Sequence, residues 1–130
     1  MATKKHFVLR DEVPPDDSIV VVRGGLLEAS VIRRTTGNCH DAFGFFGLSV
    51  FAAIDVELGE LCRSQEALLR PKKIRTTTFG DLKSAFFPVL PTFKRPHYSI
   101  VLADLEDGTI ERLDRCFALP IENPANPDGG

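Results

Sequence analysis

Tryptophan is absent, tyrosine occurs once, as Tyr98, and Met1 is the single methionine. The amphipathic aromatics that enrich binding surfaces are therefore scarce, and the ten phenylalanines are read mainly as core. No apolar run approaches the roughly 20 residues that a membrane-spanning helix needs. No membrane partner is expected on that ground. The first residues, Met1 to His6, hold no apolar core of the kind a secretory signal carries, so a cytoplasmic location is expected. The three cysteines, Cys39, Cys62 and Cys116, are odd in number and widely spaced. None forms a C-x-x-C pair, so reduced thiols are expected, with neither a metal site nor a disulfide framework. A Walker loop, a dinucleotide fingerprint and a G-x-S-x-G elbow are also missing, since Gly47-Leu48-Ser49-Val50-Phe51 carries only the first glycine of the last pattern.

Charge of one sign is not in excess: 16 basic and 18 acidic residues give a formal net charge of -2. Broad charge-driven binding to nucleic acid needs many uncompensated cations, so it is not expected. Local clusters remain, Lys72-Lys73 with Arg75, and Lys94-Arg95.

The chain has 130 residues, 43% hydrophobic and 26% charged, which fits one globular domain. The organising feature is the run Ile19-Val20-Val21-Val22, which leads directly into Arg23-Gly24-Gly25. Near-continuous hydrophobicity predicts a strand over 18–23 covered on both faces. Further strands are expected over 6–9, 48–53, 74–78 and 97–103. Helices are expected over 25–36, closed by Gly37-Asn38, over 56–69 with Asp55 as N-cap, and as a short turn capped by Thr78. Asp107-Gly108 reads as a hairpin turn, and 109–117 as its partner strand or a short helix. The prolines at 88 and 91 rule out a central strand between them. The resulting expectation is an α+β fold. A single domain over 1–121 holds a central mixed or antiparallel sheet of about five strands with two or three helices. A loose tail follows over 122–130.

Several side chains could carry chemistry. Arg23 ends a buried strand, and a guanidinium offers a planar fork of donors that suits a phosphate. Gly24 and Gly25 would admit a ligand close to the backbone. The plain alternative is an arginine paired with a neighbouring carboxylate. Ser49 is the one polar residue in an apolar strand. It can meet a ligand or bond a nearby backbone group. Glu57 and Glu60 open the 56–69 segment, where a carboxylate suits the helix dipole and can also stabilise a developing oxocarbenium ion. His40 and His97 carry imidazoles, side chains that can serve as general acid or base.

The order of strand-Arg-Gly, glycine-aromatic turn, strand with serine, and helix with early glutamates resembles ADP-ribosyltransferase-type domains. It also resembles the related toxin domains named for their Arg-Glu-Ser residues, which break down NAD. The resemblance covers roughly positions 18 to 66. It implies that Arg23 and Gly24 hold NAD as a substrate, with no resident cofactor, and that Phe45 or Phe46 covers the nicotinamide. Ser49 would then orient the ribose. Glu57 or Glu60, with Glu111 as a later candidate, would stabilise positive charge as the glycosidic bond opens. The expected function is thus a small toxin-like enzyme that hydrolyses NAD or transfers its ADP-ribose. An antitoxin-like protein is the expected partner, with a second copy of the chain as the alternative. Two rival readings stand beside it. One is a metal-independent ribonuclease that uses His40 or His97 with Lys94 and Arg95. The other is a non-catalytic interaction module.

Overall fold

β1 (Ile19–Arg23) is the hub of the molecule. The computed structural model describes residues 14–93 and 95–126. The strand expected over 6–9 lies outside them. β1 sits between β2 (Phe46–Ala53) and β3 (Lys73–Thr78) in a six-stranded sheet. β5 (His97–Leu102) pairs with β2, β4 (Val89–Pro91) lies outside β5, and β6 (Ile121–Glu122) lies outside β3. Every pairing among the described residues is antiparallel. The α+β expectation holds, with six strands among the described residues where about five were expected and four α-helices where two or three were.

Side chains alternate across a strand, so β1 must satisfy two faces. Val20 and Val22 join the larger core with Leu48, Val50, Tyr98 and Ile100 from the sheet. Three helices cover that face. α1 (Ala29–Phe43) contributes Ile32, α3 (Phe79–Ser84) contributes Phe79 and Leu82, and α4 (Asp107–Cys116) contributes Ile110 and Leu113. Val21 points the other way, into a smaller core with Ile74, Leu61, Cys62 and Leu68. Leu61 and Cys62 belong to α2 (Leu58–Ser64), and Leu68 to the 3-10 turn Glu66–Leu68. The unbroken apolar run of β1 thus has its cause in burial on both sides. The second layer is small. Beyond it, on the same face, Ser49 is exposed and Phe51 and His97 are only half-buried.

Several local expectations are corrected. α1 passes through Gly37-Asn38 and stops at Gly44, whose φ of 92° is the left-handed conformation of a helix end, with its N–H donating to the His40 carbonyl. One glycine inside a helix costs only about 1 kcal/mol, and Ile32 and Thr36 are buried on its inner face. The segment 56–69 breaks at Gln65, which is extended at φ -110° and ψ 119°. Glu57, not Asp55, is the cap position of α2, and Asp55 sits at φ 62°. Asp107-Gly108 opens α4 instead of turning a hairpin, and a clasp at Asp104 explains why: its Oδ1 accepts from the Thr109 hydroxyl at 2.6 Å and from the Glu106 N–H at 3.0 Å. The Thr78 cap is present, its Oγ1 accepting from the Asp81 N–H.

Residues 122–126, expected in a loose tail, are docked. Glu122 pairs with Lys73 in β6. The buried Asn123 donates from Nδ2 to the carbonyls of Leu68 and Pro71. Among the described residues no helix is long and apolar enough to cross a membrane.

Candidate functional site

The partly uncovered face of the sheet is where the polar side chains gather, and strand register explains why. β1 and β2 pair Ile19 with Ala53, Val20 with Ala52 and Val21 with Phe51. Continuing that register brings Arg23 level with Ser49. β2 and β5 pair Ser49 with Ser99, and Phe51 with His97. Residues opposite one another share a face and stand about 4.5–5.5 Å apart. Ser49 and Ser99 therefore form one row, with Arg23 lining the same hollow from the end of β1, and Val21, Phe51 and His97 form the next.

Arg23 is exposed and makes no ion pair or hydrogen bond among the described residues. Several carboxylates are committed elsewhere: Asp107 to Arg33, Asp114 to Arg75, Asp16 to Lys83 and Glu111 to Arg115. Ser49 is likewise exposed, in a strand whose neighbours Leu48 and Val50 are buried. Its hydroxyl bonds no backbone group among the described residues.

His97 is held from beside the row. Its Nδ1 lies 2.8 Å from the Thr92 hydroxyl and 3.3 Å from the Thr92 carbonyl. Thr92 also shares a hydrogen bond of 3.0 Å with Ser99 Oγ. Thr92 is 0% exposed and Ser99 1%, so these hydroxyls form a buried polar network under the groove. Phenylalanines wall it. Phe51 meets His97 edge-on with centroids 5.3 Å apart, and Phe93 tilts onto His97 at 5.0 Å. Phe93 also meets Phe43 edge-on at 6.0 Å, and its backbone is held at φ 53°.

Two adjoining hollows result. One, of about 290 Å³, lies among Arg23, Ser49, Thr35, Asn38, Cys39 and Phe93. The other, of about 340 Å³, lies among Arg23, Ser49, Phe51, Ala67, Phe93 and His97. Burial pushes the Cys39 thiol up, with the Gly47 backbone hydrogen bond opposing this.

The structure thus brings Arg23, Ser49 and His97 to one groove. It does not bring the glutamates. Glu57 lines a separate hollow with Ile19, Ala53 and Asp55 at the other end of β1. Glu60 and Glu111 are exposed on α2 and α4. No carboxylate is present among the described residues lining either half of the groove. Gly24 makes its close approach to the chain itself, since a Cβ there would lie 3.3 Å from the Lys73 carbonyl. Phe45 and Phe46 are half-buried and line neither half. Phe46 stacks on His40 at 4.4 Å, which holds that histidine on the last turn of α1, outside both linings. Arg95 is exposed in the turn before β5, and Lys94 lies outside the described residues.

Sequence reasoning missed Phe51, Phe93, Thr92 and Ser99. A signal existed for one of them: the alternation of Tyr98, Ile100 and Leu102 puts Ser99 on the His97 side. Among the described residues no group of His, Cys, Asp and Glu side chains is arranged to hold a metal ion. No family model, no curated protein and no solved structure matches this chain.

Proposed function

We propose that the groove over β2 and β5 binds a phosphate-bearing nucleotide, with NAD as the first candidate. The observation that carries this reading is Arg23: an exposed guanidinium without an internal partner among the described residues, at the edge of a walled hollow. Its donors suit phosphate oxygens, and a hydrogen bond to a charged group contributes about 1.5–3 kcal/mol. The Ser49 hydroxyl beside it adds a further donor. The rings of Phe51 and Phe93 offer apolar walls to a flat heterocycle.

Recognition is the supported part. Opening the glycosidic bond of NAD calls for a carboxylate beside the sugar. Glu57 lies past the far end of β1, a strand about 13 Å long from Ile19 to Arg23 at 3.3 Å per residue. A second reading is favoured by His97, which shares a hollow with Arg23. An imidazole oriented through Nδ1 beside a guanidinium suits acid–base cleavage of a phosphodiester.

The test is an amide NMR titration with AMP, with parallel incubations in NAD and, with chelator present, in RNA. The expected result is movement of the Ser49 and Phe51 amides on adding AMP, lost in Arg23→Ala. Release of nicotinamide would favour the first reading, and RNA cleavage abolished in His97→Ala the second. Amides that stay still, or that move equally in the Arg23 variant, contradict the assignment.

A further inference from the structure

Arg23, Ser49 and Phe93 line both hollows, so the two are halves of one groove meeting at these three residues. Ligand sites occupy about 300–1,000 Å³. At about 290 and 340 Å³, each half alone is at the bottom of that range, and only the two together accommodate a larger ligand.

The halves differ in chemistry. One is lined by Asn38 and by Thr35, whose hydroxyl donates to the Val31 carbonyl at 2.8 Å and keeps its acceptor capacity, with Gly47 as part of its wall. A Cβ at Gly47 would come within 2.6 Å of the Phe45 ring and 3.0 Å of Cys39 Sγ, so this wall stays at backbone level. The other half is lined by Phe51 and His97, whose rings meet edge-on, and by the small Ala67. Phe93 stands between them at φ 53°, a conformation that a side chain of this size seldom adopts, and is 42% exposed.

Charge is confined to the junction. Arg23 is the one lysine or arginine among the described lining residues of either half. A nucleic-acid strand repeats its phosphates and calls for cations along its path. A single guanidinium in the middle of a two-chambered groove suits one charged linkage in the middle of a small ligand.

We infer that the ligand's phosphate is internal: a small phosphodiester or pyrophosphate centred on Arg23 and Ser49, with a flat ring in the Phe51–His97 half and a hydrogen-bonding substituent in the Thr35–Asn38 half. This rests on the assignment of Arg23 to a phosphate and adds the two-armed form of the ligand.

The test compares NAD with its two halves, AMP and nicotinamide mononucleotide, by calorimetric titration of the full chain. Joining two arms through the central charge makes the second contact intramolecular, so NAD should bind at least roughly 10-fold more tightly than either half. Asn38→Trp and Ala67→Trp place bulk in opposite chambers at exposed positions. Each should bring NAD down to the affinity of a single half with thermal unfolding unchanged. If NAD binds no more tightly than AMP while AMP still depends on Arg23, the two-armed inference is wrong and the phosphate assignment stands. A six-nucleotide RNA that outbinds NAD also overturns it. If none of these probes binds, both assignments fall.

Discussion

The Thr92 hydroxyl stands 2.8 Å from Nδ1 of His97, fixing the imidazole at the wall of the groove from a wholly buried position. The same hydroxyl reaches Ser99 Oγ at 3.0 Å, and Ser99 is itself buried. Thr92→Val keeps the shape and removes both contacts. Leaving a buried polar group without its partner costs about 1–3 kcal/mol. Urea unfolding should show a loss of that size with an unchanged slope, and the His97 ring nitrogens should shift in NMR. A variant as stable as the wild type, with an unmoved imidazole, would show that the network is idle.

Asn123 anchors residues 122–126 against the second core layer. Its Nδ2 donates to the Leu68 and Pro71 carbonyls, and its Oδ1 accepts from the Ala125 N–H. Asn123→Ala strands these groups around a side chain that is 0% exposed. The expected loss is again about 1–3 kcal/mol, measured by urea unfolding. It should be accompanied by faster amide hydrogen exchange at Leu68 and Ile74.

Asp104 sets an acid limit on α4. The Thr109 hydroxyl first, and the Glu106 N–H second, hold its carboxyl below the ordinary value of 3.8. Unfolding releases both hydrogen bonds, so the unfolded chain takes up the proton at a higher pH than the folded chain. The clasp's contribution is therefore present above the unfolded value and is lost as pH falls through the folded one. A carboxyl NMR titration should place the Asp104 midpoint below that of an unstructured aspartate. In Thr109→Val it should move back up, and the acid sensitivity of α4 should diminish. A wild-type midpoint at the unstructured value would contradict the clasp.

Cys39 reports on the groove from inside one of its halves. Burial raises its thiol, so less thiolate is present at neutral pH and alkylation by iodoacetamide should be slower than for a free thiol. Cys116 is raised too, by burial first and by Asp81 second, but it lies on α4 away from the groove linings. Bound AMP or NAD should slow alkylation of Cys39 further and leave Cys116 unchanged, as read by mass spectrometry. Equal protection of both thiols, or of neither, would place the ligand elsewhere.

Much of the sheet was legible because burial on two faces writes itself as an unbroken apolar run, as at Val20-Val21-Val22. Position at a strand end exposed Arg23, and a polar residue among apolar ones exposed Ser49. The helices were harder. Gly37 looked like a stop because glycine often is one, yet α1 runs on to Gly44, with Cys39 and Phe43 half-buried beyond the glycine. Asp107-Gly108 has the composition of a tight turn, but it opens α4, where the adjacent Thr109 hydroxyl bonds back to Asp104. The site was legible only in part, because its row is assembled across strands. Ser49 and Ser99 are neighbours by register, fifty positions apart in the chain. Glu57 follows β2 closely in sequence, but the antiparallel sheet carries it to the opposite end of β1 from Arg23.

The most direct measurement is calorimetric titration of AMP into the wild-type chain and into Arg23→Ala. Arg23 is exposed, so the substitution should change stability by no more than about 0.5 kcal/mol. Losing a charge-assisted contact of about 1.5–3 kcal/mol should weaken binding by roughly 10- to 150-fold. That loss, in a variant with an unshifted unfolding midpoint, is the result expected of a phosphate site at the end of β1. Equal affinity in the two proteins, or no heat from either, would contradict it.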